Sequence, residues 1–295
     1  MFNTQLKIDG KAFKNTGKIS GRRPTRYWLA FLKTYVLTYE AKKNRIGCLA
    51  GLVPVVILGS LYLSGAKEDS YIIGLFFSVF ITVIVWGILS HSIKLAHVPI
   101  EAYHSLARFI ISVKGDLLKD QFSMRLNASS IEKKGTLLNP KAIGLPVVRK
   151  TTFKPYQLER YKVSLTFKDG TVCTIALNQI ALRIRKIKRS RSGKTKVKIK
   201  HKHKFFHVMT LKFNANDYKI NAIDDSLLHT DRFDISVVTK AGFHIVKVKA
   251  KIKITLLANK LNTKDKHNSS LYTDMLTYIN TNAIMIKANN TKLIQ

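Results

Sequence analysis

Acidic residues are scarce in this chain. Seventeen Asp and Glu stand against 51 Lys and Arg in 295 residues, for a formal net charge of +34. A compact protein with that imbalance repels itself unless anions lie close by. Phosphates are the expected neighbours, whether of lipid headgroups or of nucleic acid. Cysteine is equally scarce: only Cys48 and Cys173 occur, one in an apolar run and one in a strand-like run, so a disulfide scaffold is excluded. Catalytic signatures are missing too. There is no Walker loop, no Gly-x-Ser-x-Gly, no His-Glu-x-x-His and no Cys-x-x-Cys. His201, His203 and His207 would share one strand face, but the lysines between them oppose a bound cation. Asp224, Asp225, Asp231 and Asp234 form the one acidic cluster, and they read as turn residues or as partners for lysines. The chain is therefore expected to be no enzyme and to carry neither cofactor nor metal.

Long apolar runs are confined to one region. Residues 46–66 and 71–93 are each uncharged, separated only by Lys67-Glu68-Asp69-Ser70. Each is long enough to cross a hydrocarbon core of about 30 Å at 1.5 Å per residue. They predict a transmembrane helical hairpin over 46–95, and with it lipid contacts along two spans. Residues 1–45 hold eleven Lys/Arg and two acids, so the positive-inside rule predicts a multi-pass inner-membrane protein with both termini cytoplasmic. Within 1–45, the first 23 residues read as a flexible basic arm. Trp28, Phe31, Leu32, Tyr35, Val36 and Tyr39 then recur at helical spacing, which suits either the membrane interface or packing on the protein's own domain. Residues 96–120 predict a connecting helix with Leu106, Phe109, Ile110, Val113 and Leu117 on one face.

From Gln121 the period changes from 3.6 to 2. Tyr161–Phe167 alternates, Lys168-Asp169-Gly170-Thr171 turns, and Val172–Leu177 returns, a hairpin signature. A second hairpin is expected about Lys240-Ala241-Gly242, and a short helix over 269–280. Between these lies the densest charge. Arg183, Arg185, Lys186, Lys188, Arg189, Arg191 and Lys194 lead into Lys196, Lys198, Lys200, Lys202 and Lys204, with no acid among them. In a strand, the alternating lysines fall on one face. Lys247, Lys249, Lys251 and Lys253 form a second such comb. Residues 121–295 thus predict a basic, antiparallel, sandwich- or barrel-like β domain. The whole chain reads as an α+β membrane protein.

These features point to a non-enzymatic, membrane-anchored module whose lysine faces bind polyanions, either anionic lipid headgroups or nucleic acid. The alternative is a subunit of a homo- or hetero-oligomeric membrane complex that docks an acidic protein partner. Gly47 and Gly51 at GxxxG spacing would favour helix packing in such a complex. A pore-forming effector ranks below both, since the apolar runs lack charged groups to line a pore.

Overall fold

Apolar side chains at every second position, from Phe122 to Val248, build one large sheet. The computed structural model describes residues 2–37, 100–189, 194–221, 225–250 and 270–288, with scattered positions between 48 and 84. The strands are β1 (Lys18–Pro24), β2 (Gln121–Asn127), β3 (Thr136–Leu137), β4 (Thr151–Thr166), β5 (Val172–Arg189), β6 (Thr195–Asn214), β7 (Tyr218–Ile220), β8 (Phe233–Lys240), β9 (Phe243–Ala250) and β10 (Met285–Lys287). They pair antiparallel in the order β1-β2-β4-β5-β6-β9-β8, with β3 on β4, and β7 with β10 apart. The two hairpin turns use residues suited to them. Gly170 has φ +81°, and Ala241 and Gly242 both have positive φ. The Asp169 carboxylate accepts from the Thr171 backbone N–H, the Thr171 hydroxyl and the Tyr218 hydroxyl. Partial burial alone would raise the Asp169 pKa, but these donors outweigh it and hold the carboxyl below its ordinary value.

The sheet has two unlike faces. On the inner face, continuous rows cross the ladders: Met124, Val163, Ile175, Met209, Val248 and Ile235 form one. Helices cover that face. They are α1 (Phe2–Thr16), α2 (Thr25–Phe31), α3 (Ile100–Val113) and α4 (Leu271–Thr281). Trp28, Phe31, Leu32, Leu106, Phe109, Ile110, Tyr272, Met275 and Ile279 fill the space between helices and sheet. Trp28 is fully buried and its indole N–H donates to the Phe122 carbonyl at 3.2 Å. Gly10 lets α1 lie against the Tyr35 ring, where a Cβ would meet ring carbon at 1.9 Å.

The expected fold is corrected in three respects. First, the β region is neither sandwich nor barrel. The apolar face of its sheet is covered by helices, not by a second sheet. Second, among the described residues no helix is long and apolar enough to cross a membrane. The longest, α1, has 15 residues, about 22 Å at 1.5 Å per residue, and it is amphipathic. The runs 46–66 and 71–93 lie largely outside the described residues. Their described positions are helical where assigned, with exposed side chains such as Val55, Val56, Phe76 and Phe80. With the transmembrane hairpin withdrawn, the multi-pass inner-membrane placement that rested on it is withdrawn as well. Third, the stripe of Trp28, Phe31, Leu32 and Val36 packs into the protein's own core instead of a membrane interface. Tyr39, the last of that stripe, lies outside the described residues. The segment read as a flexible arm forms α1 and β1.

Candidate polyanion interface

Beyond the core, β4, β5 and β6 continue together as an arm. The register pairs Thr151 with Lys186, and Lys186 with Lys198, so the arm is three-stranded up to that row. Ile187–Arg189 and Thr195–Val197 then run on as a two-stranded tip. From Leu182 to Arg189 the arm spans about 25 Å at 3.3 Å per residue. All ten residues from Thr195 to Lys204 are exposed. The only acid anywhere in β4, β5 and β6 is Glu159.

Partners across an antiparallel ladder share a face. The outer face of the arm, opposite the helices, carries Lys186 beside Lys198, Lys188 beside Lys196, and Lys200, Lys202 and Lys204 beside Ile184, Leu182 and Ile180. Among the described residues, none of these lysines has a carboxylate within ion-pairing distance. The comb expected on one face of β6 is therefore present from Lys196 to Lys204. Lys194 precedes the strand. Arg183, Arg185 and Arg189 fall on the inner face with Lys154 of β4. The sequence grouped these arginines with the lysines, whereas odd and even positions separate them. Arg191, Lys251 and Lys253 lie outside the described residues.

The outer face stays basic across the body of the sheet. Lys249 lies in one row with Val208, Ala176, Lys162 and Arg125, and Lys247 in the next with Thr210, Thr174, Ser164, Ser123 and Arg22. Two acids temper it: Asp234 opposite Lys249, and Glu159, 3.9 Å from Arg125. Lys212, also on this face, sits 3.6 Å above the Phe243 ring. Between β2, β4 and the preceding turn, a recess of about 260 Å³ is lined in part by Arg22, Lys119, Ser123 and Ser164, with no carboxylate in its lining. Sequence reading missed Arg22, Lys119, Arg125, Lys154, Lys162 and Lys212. The strand period could have placed Lys162 outward, since it alternates with Tyr161 and Val163. The others needed the strand order.

The base of the arm is pinned by a buried polar chain. Arg160 sits at a register shift in β4 and is 1% exposed. It has no carboxylate partner among the described residues. Its guanidinium donates instead to the Gln179 side-chain oxygen and to the Asn127 and Ser129 carbonyls. Burial lowers its pKa from the usual arginine value, and Tyr103 opposes that shift. Because Arg160 can only donate, the Gln179 amide oxygen faces it. The Gln179 NH₂ then donates to His203 Nδ1 at 3.0 Å. Nearby, His201 Nδ1 lies 2.9 Å from Glu132. His201 and His203 are thereby engaged separately, and His207 points into the core.

His207 belongs to a different network. The Tyr161 hydroxyl donates to the Ala102 carbonyl, so its oxygen accepts from Tyr272 at 2.6 Å. The Tyr272 oxygen in turn accepts from His207 Nδ1–H at 2.8 Å. His207 Nε2 is left buried without a partner. Burial pulls the imidazole pKa down to about 4. Among the described residues no group of three His, Cys, Asp or Glu side chains is arranged to hold a metal. No family model matches this chain, and neither the curated proteins nor the solved structures include a match.

Proposed function

We propose that this protein is a binding module for polyanions, without chemistry of its own, and that its ligand lies on the lysine-rich outer face of the arm. The observation that carries this reading is the pairing of Lys186 with Lys198 and of Lys188 with Lys196. Like charges directly opposite each other destabilise a sheet. Two unit charges about 7 Å apart in water repel by about 0.6 kcal/mol. Lysines on an edge strand have a simpler use, since they discourage edge-to-edge pairing. That use accounts for lysines on β6 but not for Lys186, which sits in an interior strand with neighbours on both sides. A phosphate-bearing ligand turns this repulsion into attraction.

Retention on immobilised polyphosphate tests the reading. The full-length protein is expected to bind at low salt and to elute as salt rises. Replacing Lys196, Lys198, Lys200 and Lys202 by Gln is expected to lower the eluting salt concentration. Equal elution of both proteins, or no retention, would overturn it.

A further inference from the structure

We infer that the polyanion is a single-stranded nucleic acid, laid along the outer face of the three-stranded part of the arm. Its phosphates meet the lysines of β6, and its bases meet the apolar column beside them. The inference rests on the polyanion reading and adds the class of ligand. Its support is that the register sets two unlike columns side by side. Lys198, Lys200, Lys202 and Lys204 run along β6 and lead to Phe206. Next to them on β5 run Ile184, Leu182 and Ile180, and beyond these on β4 stand Phe153 and Pro155. Partners across the ladders share a face, so all of these lie on the outer one. That face thus offers cations along one edge and apolar surface along the other.

A single strand has the matching division. Its backbone carries one phosphate per nucleotide, and its unpaired bases present flat apolar faces. Such strands are held by a basic track for the backbone and aromatic rings for the bases. Phe206 is 39% exposed and Phe153 is half-buried, so each ring has surface to offer. Successive lysines on β6 are about 6.6 Å apart at 3.3 Å per residue. Phosphates along one strand of a duplex rise by about 3.4 Å, and unstacking the bases lengthens that step toward the lysine spacing. Phe153 lies two strand spacings from Lys200, about 10 Å, which one nucleotide bridges from phosphate to base. Gln157 and Asn178 add side-chain amides on the same face, suited to the edges of splayed bases. The one acid of these three strands, Glu159, stands 3.9 Å from Arg125.

Other polyanions use only part of this face. A duplex keeps its base faces stacked inside and meets the arm with phosphates, which leaves the apolar column without a partner. Inorganic polyphosphate has no apolar group to set there. Insertion into a bilayer needs apolar side chains that protrude past the cations. Here Ile184 is 7% exposed, and Ile180, Leu182 and Phe153 are half-buried, while a lysine chain is longer than any of them. Stacking and phosphate contacts do not involve the ribose 2′-hydroxyl, so strands of DNA and of RNA are both expected to bind. Every base has a flat face, so binding depends little on sequence.

The test uses the full-length protein at low salt. Its ligands are oligothymidylate, oligouridylate, a duplex DNA, a strand of abasic nucleotides, and vesicles of phosphatidylserine in phosphatidylcholine, compared at equal phosphate concentration. Binding is read by fluorescence anisotropy for the nucleic acids and by co-sedimentation for the vesicles. One variant carries Phe153→Leu and Phe206→Leu, which keep apolar bulk and remove the flat rings. Circular dichroism melting confirms that it is folded. The two single strands are expected to bind about tenfold or more tighter than the duplex, the abasic strand or the vesicles. The variant is expected to lose about tenfold in affinity for the single strands, and to elute from immobilised polyphosphate at an unchanged salt concentration. A duplex, abasic strand or vesicle that binds as tightly as the single strands would overturn the inference, and these comparisons need no variant. So would single-strand affinity that the two substitutions leave unchanged. Retention on polyphosphate with no preference for single strands would overturn this inference and leave the polyanion reading standing. Failure to be retained on polyphosphate would remove both.

Discussion

Individual side chains in this protein carry opposite demands. Lys186 and Lys188 suit a ligand but not the fold, because each faces another lysine across the ladder. Replacing both by Gln is expected to raise unfolding free energy by about 0.5–1 kcal/mol at low salt, and the gain should fade as salt screens the charges. Urea denaturation at two salt concentrations measures it, and a destabilised variant would contradict the account. His207 bears on stability through pH. Its folded pKa is pulled from 6.5 down to about 4, so the native state favours the neutral ring. The unfolded chain takes up a proton first as pH falls. Stability contributed by the buried neutral ring is therefore complete above pH 6.5 and is lost between there and about 4. The slope reaches at most about 1.4 kcal/mol per pH unit. His207→Gln is expected to abolish that component in denaturation curves recorded across this window.

At the scale of elements, the N-terminal segment is part of the sheet. β1 closes the edge along β2, and α2 places Trp28 against Phe122. Deleting residues 2–24 would leave the β2 edge unpaired and the Trp28 surroundings open. The expected result is loss of a cooperative thermal transition, measured by circular dichroism. A truncated chain that melts as sharply as the full one would contradict the packing described. Much of this level was legible in advance. The Asp169-Gly170 and Ala241-Gly242 hairpins followed from turn residues between alternating runs. The helix Ile100–Val113 followed from its apolar stripe, but it stops short of the expected 120, and Leu117 pairs in extended backbone with Phe167. β1 was not legible, because Lys-Ile-Ser-Gly-Arg-Arg-Pro shows no apolar alternation. It is held by backbone pairing along an edge, where Pro24 at its end is tolerated. The part of β4 that extends the arm was hidden in the same way, since Thr151–Gln157 contains Pro155 and mixes polar with aromatic residues. The lysine comb was visible in the sequence. The arrangement of Lys186 and Lys188 beside it depended on register, which no local pattern reveals.

Across the whole molecule, the sheet divides chemistry between its faces. The inner face holds the core and the helices. The outer face and the arm hold cations that find few acids of their own chain. The account therefore stands on whether that face meets phosphate. The most direct measurement is the salt dependence of polyphosphate binding by the full-length protein and by the variant with Lys196, Lys198, Lys200 and Lys202 replaced by Gln. If the seven outer lysines of the arm, Lys186, Lys188, Lys196, Lys198, Lys200, Lys202 and Lys204, each neutralise a phosphate of a single chain, log K should fall with log salt at a slope of about −5. The variant's slope should be shallower by about 3. A slope near zero, or one the four substitutions leave unchanged, would contradict the account.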